Sequence, residues 1–184
     1  MRIFRREQKI ILTALFIALA VVLGYLLAEV PNVELMTVVV FLSGVFLGAR
    51  LGATVGLLSI LFYSLFNPFG PPLLPLMIAQ LIGFAVIGLT GGLLKEQLHR
   101  TGTGVVITSA LAGLVLTLIY DFLTTVATAA IALGLGGFLE GLGGVFLAGS
   151  VFIAIHSISN TAVFAVAIVP IVRVMHAWER GGQA

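Results

Sequence analysis

Residues 104–133 read GVVITSALAGLVLTLIYDFLTTVATAAIAL. The stretch contains one charged residue, Asp121. A helix needs about 20 apolar residues to cross a hydrocarbon core of ~30 Å. The stretch therefore reads as a membrane helix, and it sets the fold class as an all-α membrane protein. A carboxylate near the middle of such a helix costs roughly 2.5–3.5 kcal/mol on insertion scales. Asp121 is by that measure a candidate functional residue.

The composition points the same way. Of 184 residues, 60% are hydrophobic and 9% charged, against about 25% charged in soluble domains. Mean hydropathy is +1.24. No polar block is long enough for a second domain, so residues 1–184 are read as a single transmembrane domain. There is no cysteine, which excludes disulfides and thiolate chemistry. The net charge of +2 comes from a few basic residues and not from a nucleic-acid surface. Arg2, Arg5, Arg6 and Lys9 precede the first apolar run like a signal-peptide n-region. That run, 10–28, is long enough to span and lacks a cleavage pattern, so a retained helix is expected.

Six spans follow, near 10–28, 35–49, 51–66, 74–94, 104–133 and 145–174. With a cytoplasmic N-terminus, the nine basic residues all fall on the cytoplasmic side: Arg2, Arg5, Arg6, Lys9, Arg50, Lys95, Arg100, Arg173 and Arg180. The outer loops then hold Glu29, Glu34 and Glu140 and no Lys or Arg. This satisfies the positive-inside rule and puts both termini in the cytoplasm. His99 and His176 lie on that same side.

Small residues mark close approaches. Ala14 and Ala18 share a face of the first span, which fits either packing inside the bundle or a groove for another membrane subunit. Gly44, Gly48, Gly52 and Gly56 are read as two pairs packing spans two and three together. Pro31 stops the first helix within an acidic outer loop, 29–37. Four prolines between Pro68 and Pro75 make the second outer loop stiff, with Tyr63, Phe66 and Phe69 as interfacial aromatics or a wall over a pocket. Gly134–Gly144, with its repeated Gly-Leu-Gly-Gly, reads as a mobile outer connection or gate.

The polar residues converge. Asp121, Thr125 and Thr128 share one helical face, flanked by Tyr120 and Thr124. His156 and Asn160 share a face of the last span. The two spans run antiparallel and their polar levels overlap near the midplane, so Asp121 and His156 are expected to face each other or a common cavity. Asn32 and Glu34 above, with Asn67 and Gln80 beside, would close a polar pocket that opens outward. A mutually satisfied Asp–His contact with a purely structural role is the plainer alternative.

Enzyme chemistry is not expected. Ser157 adjoins His156 in sequence and points elsewhere on a helix, and no nucleophile elbow occurs. A single intramembrane His without a His-Glu-x-x-His pattern gives no metal site. A self-contained proton- or cation-coupled carrier or channel using Asp121 and His156 is the second reading, although no internal repeat supports it. A structural membrane subunit without a ligand is the third.

Ala14-x-x-x-Ala18, Pro31-Asn32-Val33-Glu34-Leu35-Met36-Thr37, Tyr120-Asp121-Phe122-Leu123-Thr124 and His156-x-x-x-Asn160, in this order and topology, carry a family likeness. The chain resembles the substrate-binding S components of energy-coupling-factor (ECF) vitamin transporters over nearly its whole length. The resemblance implies a multi-pass subunit of a prokaryotic cell membrane that captures a vitamin or related micronutrient from outside. It implies delivery inward with a membrane coupling subunit and two cytoplasmic ATPases, with Ala14 and Ala18 as the coupling contact. It implies no cofactor of its own. An outer half without Lys or Arg favours a neutral or cationic heterocycle. A pyrimidine- or thiamine-like compound, another neutral B-vitamin or a corrinoid would fit, and carboxylate-bearing folate and biotin fit less well.

Overall fold

The computed structural model describes residues 5–30, 32–67, 70–98 and 103–181, with side chains up to Val174 except that of Leu135. The readings placed above on Pro31, Pro68, Phe69, His99, Arg100 and the side chain of His176 lie outside the described residues. Every element is helical: α1 (Arg6–Leu26), α2 (Met36–Leu47), α3 (Ala49–Leu65), α4 (Leu74–Leu93), α5 (Lys95–Leu98) and α6 (Thr103–Gly181).

α1 begins where Gln8 reaches back to accept the Arg5 backbone N–H at 2.8 Å, satisfying one donor that a helix start leaves open. The helix buries only Ala20 and Gly24. Ile17 and Leu23 pack on the core, whereas Ile10, Leu15, Leu19, Val22 and Leu26 face outward, as expected where lipid is the solvent.

α2 is the opposite case. All of its 12 residues except Phe46 are buried. It is apolar on every side, which requires a central position, and it touches α1, α3, α4, α5 and α6. At about 1.5 Å per residue it rises only some 18 Å. Gly48 then reverses the chain with φ 93°, a conformation that only glycine adopts without cost, and α3 starts at the next residue.

α2, α3 and α4 meet along a glycine seam. A Cβ added to Gly52 would stand 2.3 Å from the Gly88 carbonyl oxygen and 2.5 Å from the Gly44 Cα. A Cβ on Gly56 would stand 2.1 Å from the Phe84 carbonyl oxygen. The glycines expected to join spans two and three thus also bring α4 into backbone contact with both. α4 itself starts with Pro75 in its first turn, where the missing N–H is harmless.

α6 is two helices in one. Gly134, at φ 63° and ψ 178°, breaks it, and the chain doubles back. The first arm, Thr103–Gly134, and the second, Gly136–Val174, lie side by side, with Gly113 against Phe164 and Asn160. Thr117 meets Asn160 and Asp121 meets His156. This corrects the reading of Gly134–Gly144 as a mobile connection. Beyond Gly134 the glycines are helical, and the reversal needs one residue. In a segment with so few polar partners, continuing the helix is the cheapest way to satisfy backbone groups.

Among the described residues, four helices are long and apolar enough to cross a membrane: α1, α4 and the two arms of α6. α2 and α3 are shorter apolar helices. The bundle has two distinct ends. Lys9 at the start of α1, Arg50 at the start of α3 and Lys95 after α4 mark one end, where Phe16 stacks on Phe46 and Gly92 touches Ala49. At the other end Tyr25 meets Tyr63 and Ser64 meets Gln80.

Candidate binding cavity

The end away from the basic residues holds a cavity of about 230 Å³. Gly24 closes it from α1, with Leu27 and Ala28 just past the helix end, Met36 and Thr37 from α2, and Ile60 and Tyr63 from α3. Gln80 and Phe84 contribute from α4, and Tyr120 and His156 from the two arms of α6. The connection between α1 and α2 adds Val30, Asn32, Val33 and Glu34. Five residues singled out in the sequence therefore meet here: Asn32, Glu34, Gln80, Tyr120 and His156.

Glu34 is the hub. Its Oε2 accepts the Thr37 backbone N–H at 2.8 Å, which caps α2 and complements the positive end of the helix dipole. Its Oε1 accepts the Thr37 hydroxyl and the Asn160 amide at 3.3 Å. The Nε2 of His156 stands 3.9 Å from the same oxygen. Burial alone raises the pKa of this carboxyl, but the His156 ring and the two Thr37 donors more than offset it, so the group titrates below its ordinary value.

Asp121 stands behind His156, not at the cavity wall. Its Oδ1 lies 2.7 Å from His156 Nδ1, and both side chains are about nine-tenths buried. This fixes the ring by the logic that orients a functional histidine through its other nitrogen. The second carboxylate oxygen, Oδ2, is buried without a hydrogen-bond partner. Asn160, 1% exposed, is also a support residue: its amide spans from Glu34 to the Thr117 hydroxyl at 3.0 Å. Asn32 is held in the left-handed region at φ 56°, which asparagine tolerates. Its carbonyl accepts the Ser159 hydroxyl at 2.9 Å. The α1–α2 connection is thus tied to the second arm at Asn32 and at Glu34.

The aromatic walls interlock. Phe84 meets Tyr120 edge-on at 5.4 Å, and Tyr120 meets the His156 ring edge-on at 6.0 Å. A Cβ on Gly83 would lie 2.6 Å from the Tyr120 ring, so the glycine makes room for that side chain. Three residues named from the sequence stand away from the cavity. Thr124 bonds the carbonyls of Tyr120 and Asp121 in its own helix, a common habit of membrane threonines. Thr125 and Asn67 do not line the cavity. Sequence reasoning missed Thr117, although it precedes Asp121 by four residues and extends the same polar face. It also missed Ile60 and Phe84, apolar residues on apolar helices that carry no local signal. Among the described residues no three His, Asp or Glu side chains are placed to hold a metal ion.

The chain was compared with known proteins and families. No curated protein and no solved structure matches it. The sequence profile of the family described as "ECF transporter, substrate-specific component" matches residues 8–172. The match runs from the first turns of α1 to the second arm of α6 and includes every wall of the cavity. The chain belongs to the ECF transporter substrate-specific components, membrane subunits that bind the substrate and work with the partners of an ECF module.

Proposed function

We propose that this subunit captures a vitamin or related micronutrient in the cavity between α1, α4 and the arms of α6, and passes it inward with a membrane coupling subunit and two ATPases. The observation that carries the reading is the position of the cavity. It opens at the end of the bundle opposite Lys9, Arg50 and Lys95, and the positive-inside rule assigns that end to the outside. Six crossings with both termini inside follow from the same charge pattern, with α2 and α3 as a short hairpin completing the count. Asn32, Glu34, Gln80, Tyr120 and His156 contact the ligand, and Asp121 and Asn160 hold His156 and Glu34 in place.

Ala14 and Ala18 stand exposed on α1, opposite to the bundle. That exposure supports their role as the contact for the coupling subunit. The deciding experiment is purification in detergent followed by mass spectrometry of what co-elutes. A stoichiometric small nutrient supports the proposal. An empty protein that also fails to bind a vitamin panel overturns it.

A second reading rests on the line Asp121–His156–Glu34, in which one imidazole lies between two carboxylates. Such a line suits a proton- or cation-coupled carrier acting alone. Ion flux in liposomes containing only this chain would favour that reading, and its absence would remove it.

A further inference from the structure

We infer that the ligand is a small compound of about one ring, and that it presents a positively charged N–H group to Glu34. The inference rests on the reading of the cavity as the ligand site. Among the residues that line the cavity, Glu34 and His156 are the only ionisable groups besides two tyrosines, and none is Lys or Arg. His156 already directs Nδ1 at Asp121. Its other nitrogen, Nε2, lies 3.9 Å from Glu34. Two carboxyl groups thus face one imidazole, and no Lys or Arg lines the cavity to balance them. A ligand that brings a positive charge balances the group, whereas a carboxylate adds to its excess.

Acceptor accounting locates the contact. An ionised carboxylate offers about four lone-pair sites. The Thr37 hydroxyl and the Asn160 amide take those of Oε1, and the Thr37 N–H takes one on Oε2. At 3.9 Å His156 Nε2 is too far for a hydrogen bond. One site on Oε2 is left, on a side chain that is 23% exposed and lines the cavity. Tyr63, Phe84 and Tyr120 also line the cavity, and aromatic rings attract cations.

Size sets the other limit. A cavity of about 150 Å³ is known to hold benzene. The 230 Å³ here admits one ring with its substituents, or two small linked rings, and is too small to enclose a macrocycle. Of the compounds considered from the sequence, the corrinoid is thereby set aside.

The test uses the full chain in lipid nanodiscs. Mass spectrometry first identifies the co-purified ligand. Calorimetry then compares pyridoxamine with pyridoxine, its uncharged counterpart, and adds thiamine, biotin and hydroxocobalamin. The expected result is a co-purified compound with a protonated amine, amidine or cationic ring nitrogen, or pyridoxamine or thiamine binding at least tenfold tighter than every uncharged or anionic probe. The bound cation should lose at least about tenfold in affinity in Glu34→Gln, the usual worth of a hydrogen bond to a charged group. Equal binding of the cation to Glu34→Gln overturns the role of Glu34. If that variant does not fold, the ranking of probes on the unmodified chain decides. A carboxylate, an uncharged compound or a macrocycle as the tight ligand overturns the inference and leaves the cavity reading intact. No co-purified ligand and no binding of any probe overturns both.

Discussion

Asp121 and His156, 35 residues apart in sequence, meet at 2.7 Å across the two arms of one helical hairpin. Only His156 reaches the cavity. The division of labour has an energetic consequence. Removing one partner of a buried pair leaves the other charged or polar group uncompensated, at about 3–5 kcal/mol.

Asp121→Ala is therefore expected to lower thermal stability in detergent markedly. Asp121→Asn, which keeps an acceptor at Oδ1, should cost much less. Unfolding curves of the two variants, with the ligand-free protein as reference, check this. Equal stability of all three would show that the pair contributes nothing to the fold.

The glycine seam makes a sharper demand. Gly88→Ala would place a Cβ 2.0 Å from the Gly52 carbonyl oxygen, and backbone cannot move aside as a side chain can. The expected cost is at or above the usual 1–3 kcal/mol of overpacking. Gly143→Ala meets nothing within 4 Å and should leave stability unchanged. Melting temperatures of the two variants give the contrast.

Gly83→Ala differs from both. Its Cβ would collide with the Tyr120 ring, which forms a wall of the cavity. The expected result is a folded protein with weakened ligand binding, read by calorimetry with whatever ligand co-purifies. Undiminished affinity would remove Tyr120 from the binding surface.

Acidity should act through Glu34. Its folded-state pKa lies below the ordinary 4.5, so its contribution to stability is complete above that value and is lost as the pH falls through the lower folded value. The stability gap between the unmodified chain and Glu34→Gln should be constant from pH 7 to about 4.5 and close below it. A gap that closes already near neutrality would contradict the assignment.

On α1, Ala14→Leu combined with Ala18→Leu adds bulk to an exposed face without disturbing the interior. Ligand binding should persist while uptake by the assembled transporter fails. Unimpaired uptake would place the coupling contact elsewhere.

The helices and their ends were legible because apolar runs and the basic residues between them are strong, local signals. The meeting of Asp121 with His156 could be read from two helical faces at matching depth. The cavity was legible only in part. Ile60 and Phe84 look like any lipid-facing or packed side chain until the bundle is assembled. Thr124 showed the opposite case, since its hydroxyl bonds the carbonyls of its own helix and does not line the cavity. The glycines after Gly134 misled because a composition typical of loops is tolerated in a helix that has no water to solvate a broken backbone.

The seam of Gly44, Gly52 and Gly88 carries one more consequence. Three backbones in van der Waals contact, with no side chains between them, pack α2, α3 and α4 as one tight unit. Backbone movement that changes the size of ligand accepted must come from the other walls, among them Gly24, Leu27, Ala28, Val30, Asn32, Val33 and Glu34. Altered specificity, natural or engineered, should therefore be sought in a short stretch near the end of the first helix.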